Sequence, residues 1–239
     1  MKASVPPAHD AGTSSRSANP TDEPVAPTEV VTELDGSVTE YYDIPIRPSV
    51  WDRNTGKVLR LRQMEGRSVD ELGTLVALCK ELFVEHHARI RFGPCIQGAV
   101  FELELREKPG RLSLLDGYLT VEIPPGPAHF HLCVAATRGL GRRRTPDALA
   151  RQRQCRRAAF YRGLGSDGCT PGSWGIRLWN GANEQMLTFF LPSPFLSDAL
   201  RRIDPDYTRL GLWNELRARY LGERVPQPLP TDRPRRGHA

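Results

Sequence analysis

Between residues 68 and 87 apolar side chains recur every three or four positions, at Leu72, Leu75, Val76, Cys79, Leu82 and Phe83. That spacing predicts a helix with one buried face. Ser68 stands where an N-cap belongs and Glu71 follows three residues on, a capping box that sets the start. Three later stretches alternate instead. Phe101, Leu103 and Leu105 oppose Glu102, Glu104 and Arg106. Leu119, Val121 and Ile123 oppose Tyr118, Thr120 and Glu122, and Phe130, Leu132 and Val134 oppose His129, His131 and Cys133. A period of two is the mark of a strand. The run Pro124, Pro125, Gly126, Pro127 between the last two reads as a turn, and all three stretches are expected to be antiparallel neighbours.

The remaining elements are read the same way. Strands at 38–46 and 57–63, joined by a turn at 52–56, predict an N-terminal hairpin. Thr145 as N-cap and Pro146 at the first helical position predict a second helix over 145–162. Strands at 174–179 and 185–191 flank a turn at 180–183. Short helices are expected near 197–202 and 206–221, the latter with Leu210, Trp213, Leu216 and Tyr220 in a buried stripe. The expected fold class is α+β: an antiparallel sheet of about five strands with helices packed on its apolar face, plus the hairpin. Residues 36–226 form one domain on this reading. The Pro-, Ser- and Thr-rich stretch 1–35 and the tail 227–239 bury too little to offset their ordering entropy and are expected to be disordered.

Composition narrows the class. The chain has 239 residues with a net charge of +5. Eight arginines fall between Arg142 and Arg162, a local basic patch on the predicted second helix. No apolar run is long enough to span a bilayer and no signal peptide is evident, so no membrane partner and a cytoplasmic location are expected. Cys79, Cys95, Cys133, Cys155 and Cys169 are odd in number, widely spaced and form no CxxC pair. That predicts reduced thiols in place of a disulfide framework. Cys155, among arginines, is a candidate reactive thiol or a small core residue, and Cys169 a loop thiol within reach of a site.

The polar face of the predicted sheet carries the candidate chemistry. Alternate strand residues project together about 6.6 Å apart, so His129 and His131 can flank one ion, with nitrogens about 2.1 Å from it. Glu122, across the proline turn, completes a two-His, one-carboxylate set suited to Fe(II) or Zn(II). Glu104 and Cys133 on the same face are candidate catalytic groups. Arg177 is a candidate bidentate clamp for a carboxylate or phosphate, and Trp179 a candidate cofactor contact and apolar wall. The segment from Gly126 to His131 resembles part of the first cupin metal motif, but no glutamate follows at the family interval and the second motif is absent, so neither the cupin fold nor its activity is expected.

These residues predict a metal-dependent enzyme, an oxygenase or a hydrolase or lyase, acting on a small anionic molecule. The first alternative is an accessory protein holding a metal, haem or small molecule without turnover. The second is nucleic-acid binding through the arginine-rich helix, less favoured because stacking aromatics are few there. A homodimer across the polar sheet face is a further expectation, and would make the histidines interface residues. His86 and His87 end the first helix, where cationic imidazoles complement its dipole. Glu81 and Glu85 lie four apart on that helix but lack the histidine spacing of a di-iron bundle.

Overall fold

The computed structural model describes residues 25–34, 36–52, 57–96, 99–140, 144–165 and 171–223. The termini expected to be disordered lie mostly outside them, although the strand Glu29–Thr32 falls within the stretch 1–35. In chain order the strands are β1 Glu29–Thr32, β2 Val38–Asp43, β3 Leu59–Arg60, β4 Arg91–Gly93, β5 Cys95–Ile96, β6 Ala99–Val100, β7 Leu103–Glu104, β8 Leu112–Leu115, β9 Tyr118–Glu122, β10 His129–Cys133, β11 Cys155–Leu164, β12 Pro171–Asn180 and β13 Gln185–Phe190. The helices are α1 Leu61–Met64, α2 Val69–Leu72, α3 Thr74–Lys80, α4 Asp147–Arg153 and α5 Gly211–Leu221. None is long and apolar enough to cross a membrane.

The fold is mixed α/β with antiparallel sheets, but two sheets replace the single five-stranded one. Seven strands run in the order β1-β2-β11-β12-β13-β4-β7 and four in the order β10-β9-β8-β3, beside a two-stranded β5-β6 ladder. β9 and β10 pair as expected, with His129 opposite Glu122 and His131 opposite Thr120. The stretch 99–106 does not join them. It breaks into β6 and β7, and β7 pairs with β4 in the larger sheet. The N-terminal hairpin does not form either, because β2 pairs with β1 and β11 while β3 pairs with β8 in the smaller sheet. Tyr41 and Tyr42 are both buried, one on each face of β2, so that strand needs cover on both sides.

The largest correction concerns the second helix. It ends at Arg153, and Cys155–Leu164 is a ten-residue strand between β2 and β12. Cys155 and the run from Ala158 to Arg162 are buried. A strand covered on both faces reads as a continuous apolar run, which periodicity alone does not separate from a helix. The arginines are divided with it: Arg144, Arg151, Arg153 and Arg156 are exposed, while two others are tied to carboxylates. Arg157 pairs with Glu29 and Asp43, and Arg162 with Glu40. Arg142 and Arg143 lie outside the described residues. The short helix expected near 197–202 is also absent; a bridge between Leu196 and Arg202 closes a loop there.

The first helix begins as read. Ser68 Oγ accepts from Glu71 N–H at 3.2 Å, and a Glu71 carboxylate oxygen accepts from Ser68 N–H at 2.9 Å. Gly73 then splits it into α2 and α3, with φ of 76°. A Cβ there would stand 2.4 Å from the Ser49 backbone nitrogen, so the position demands glycine on both counts. Every residue from Thr74 to Cys79 is buried, as are those from Glu81 to Val84. A helix covered on all sides is a core element, and the inner faces of both sheets meet it and α5 in one hydrophobic core.

Candidate metal centre

Directly after α3 the chain widens into a π turn over Glu81–Glu85, closed by a bond from His86 N–H to the Glu81 carbonyl at 3.0 Å. π turns are uncommon and concentrate at functional sites. In an α-helix residues five apart point about 140° away from each other. The π turn brings them to one side, and His86 Nε2 stands 3.6 Å from Glu81 Oε1. Glu81 is only 3% exposed. Its other oxygen accepts from Tyr220 Oη–H at 2.8 Å, and burial beside this carboxylate pushes the Tyr220 hydroxyl well above its ordinary range.

Helix α5 completes the group. Glu215 offers a carboxylate oxygen, and ligand atoms of Glu81, His86 and Glu215 all lie within 4.8 Å of one another. Glu81 is buried, His86 half-buried and Glu215 exposed, so the cluster opens toward solvent on one side. It is able to chelate a divalent ion. Arg219 currently spans it, with Nη1 2.5 Å from Glu81 Oε1 and Nη2 3.2 Å from Glu215 Oε1. Two carboxylates against one guanidinium leave a net negative charge when His86 is neutral. The Arg219 side chain is 44% exposed, which leaves it room to swing into solvent when another cation arrives. Nearby, a hydrogen bond from Lys80 holds the Glu85 carboxyl below its ordinary range.

The residues singled out from the sequence fall into separate places. Glu122, His129 and His131 share the outer face of the smaller sheet at its β10 edge, but their ligand atoms do not all lie within 4.8 Å of one another as those of Glu81, His86 and Glu215 do. The two imidazoles are exposed with ring centres 4.7 Å apart, His131 Nδ1 is 2.9 Å from Thr120 Oγ1, and His129 Nδ1 is 3.2 Å from the Pro127 carbonyl oxygen. Cys133 lies on the same strand but is buried. Arg177 and Trp179 lie on β12 in the other sheet, where Arg177 donates to Tyr41 Oη and stacks over Tyr161 at 4.4 Å. Glu104 sits on β7, paired with Arg91 at 2.9 Å.

Sequence reasoning had Glu81 and His86 in view but not together, because α-helical spacing separates them and Glu215 lies far along the chain. The signal in the sequence is a Lys80-Glu81 pair set inside an apolar run from Leu75 to Val84.

Cys79, Cys133 and Cys155 are shielded. Burial pushes the Cys133 thiol up to about 11 and that of Cys155 up to about 12, so the arginines beside Cys155 do not activate it. Cys79 is likewise raised by burial. All three are expected to stay unmodified when the native protein is treated with a thiol-specific disulfide reagent at pH 8, and to react once it is unfolded. Peptide mass mapping checks this. The side chains of Cys95 and Cys169 lie outside the described residues.

A family model matches residues 57–222 of the chain, described as a family of unknown function (DUF7676). No curated protein and no solved structure matches the chain.

Proposed function

Because the chain belongs to the family of unknown function DUF7676, which brings no activity with it, we propose from geometry that it is a metal-dependent enzyme. On this reading a divalent ion, Fe(II) or Zn(II), is held by Glu81, His86 and Glu215, and the substrate is a small organic anion. The observation that carries the proposal is the convergence of two carboxylates and an imidazole on a π turn, with one carboxylate almost wholly buried. Burying a carboxylate is costly without compensation, and a mixed nitrogen and oxygen set suits both ions. Once bound, the ion would supply Lewis-acid polarisation or an activated water. The protein's part is to position it: the turn presents Glu81 and His86 together, Tyr220 fixes the second Glu81 oxygen, and Arg219 offsets one of the two carboxylate charges.

A second reading places the ion on the strand face, with His129, His131 and Glu122. The register that sets His129 opposite Glu122 supports it, and the exposure of both imidazoles favours a looser, hydrated ion.

Titration of chelator-stripped protein with Zn(II) against a competing fluorescent chelator separates the two. His86→Ala is expected to weaken binding at least tenfold, and the pair His129→Ala, His131→Ala to change it less than twofold. The opposite ranking would move the site to the strand face. Absence of Zn(II) and Fe(II) binding in the wild type would overturn the metal reading.

A further inference from the structure

A cavity of about 280 Å³ opens beside the 3₁₀ turn His87–Arg89, β4 and the loop after β13. Trp174, Leu191 and Leu196 form an apolar wall, and the guanidinium side chains of Arg89, Arg91 and Arg209 also line it. Two of these cations are engaged. Arg91 Nη2 stands 2.9 Å from Glu104 Oε2 and donates to the Asp198 carbonyl at 2.7 Å. Arg209 Nη2 stands 2.5 Å from Asp198 Oδ1, and its Nε donates to the Ser193 carbonyl at 3.1 Å. Among the described residues Arg89 makes no ion pair with a carboxylate.

Two features mark this cavity as a ligand site. The first is Asp198. The hydrogen bond from Arg209 and the charges of Arg209, Arg91 and Arg89 hold its carboxyl below the ordinary range, so all three cations act on one carboxylate. Yet that side chain is 93% exposed, and an exposed ion pair of this kind is weakly held. The second is Arg89, a lining cation without a carboxylate partner among the described residues, set beside an apolar wall that includes Trp174. At about 280 Å³ the cavity lies just below the usual range for drug-sized ligands, which limits it to a small molecule.

We propose that this cavity binds a small organic carboxylate with an apolar body, whose carboxylate replaces that of Asp198 before the three arginines while its body lies against Trp174, Leu191 and Leu196. Arginine suits this task because its planar fork matches a carboxylate bidentately. The glutamates on the lining, Glu102 and Glu104, restrict entry to ligands with a single anionic end. The same two chain segments build both sites: the turn carrying Arg89 follows directly on His86, and Arg209 lies in the 3₁₀ turn Tyr207–Leu210 that leads into α5, six residues before Glu215. Assigning the ligand as substrate rests on the proposed enzyme; its binding does not.

Calorimetric titration of the EDTA-treated full chain with phenylacetate tests the proposal. Asp198→Asn, which removes the competing carboxylate, is expected to tighten binding at least threefold. Arg89→Gln and Arg209→Gln are expected to weaken it at least tenfold each, with melting temperatures checked to show that both variants fold. Inorganic phosphate should bind at least tenfold more weakly than phenylacetate. No binding of phenylacetate at 20 mM, equal affinity in all variants, or phosphate binding as tightly would overturn the proposal. Because the protein is metal-free throughout, failure here leaves the Zn(II) titration untouched, and failure there leaves this one standing.

Discussion

Replacing Phe83 with alanine is expected to destabilise the fold by about 3–5 kcal/mol, the range for emptying a buried aromatic position. Phe83 is fully buried in the π turn, and its ring centre lies 4.8 Å from that of Phe92, 5.2 Å from Phe189 and 6.4 Å from Phe130. Phe92 and Phe189 belong to β4 and β13 of the larger sheet, and Phe130 to β10 of the smaller one. One side chain therefore links helix, larger sheet and smaller sheet, and no single neighbour can collapse into the space without leaving another gap. At about 2–4 °C per kcal/mol for a domain of this size, the melting temperature should fall by roughly 10 °C. Urea denaturation checks the free energy. A loss below about 1.5 kcal/mol would mean that the three sides close on each other and that the cluster is not the joint between the sheets.

Arg217→Met is expected to cost a similar amount, about 3–5 kcal/mol at neutral pH, because it strands a buried charge. Arg217 and Glu223 have side chains only 2% and 1% exposed and stand 2.6 Å apart. The guanidinium also stacks over Tyr42 at 4.2 Å and Trp213 at 5.2 Å, so the change removes packing as well as charge. The pH dependence identifies the cause. Burial already raises the Glu223 carboxyl above its ordinary value, with Arg217 working against the rise. Removing Arg217 raises it further. A carboxyl whose folded pKa exceeds its unfolded one holds its proton more tightly in the folded state, so stability is lost as pH rises from the unfolded pKa through the folded one. The deficit of the variant should accordingly shrink between pH 8 and pH 5. A deficit independent of pH would assign the loss to the stacking alone.

Much of the fold was legible wherever one rule dominated. The capping box at Ser68 and Glu71, the register of β9 against β10 and the buried stripe of α5 all follow from local spacing. The errors have two causes. Cys155–Leu164 is covered on both faces over most of its length and so lacks the alternation that separates inside from outside, whereas Val38–Asp43 is a strand as read and differs only in its partners. Placing 99–106 beside Tyr118 used its alternation, which says which side faces in but not which strand lies next. The site was less legible still. Glu122, His129 and His131 share a sheet face because a turn joins their strands. Glu81, His86 and Glu215 meet because one helix changes its pitch and another arrives from far along the chain, and neither event has a signature in residue spacing.

Where a divalent ion settles decides between the π-turn cluster and the strand face. Crystals grown with Zn(II) and measured on both sides of its absorption edge are expected to show an anomalous peak between Glu81, His86 and Glu215, with the Arg219 guanidinium turned out to solvent. A peak at His129 and His131 alone, with Arg219 still bridging Glu81 and Glu215, would contradict it and leave the π-turn cluster as an internal ion-pair network.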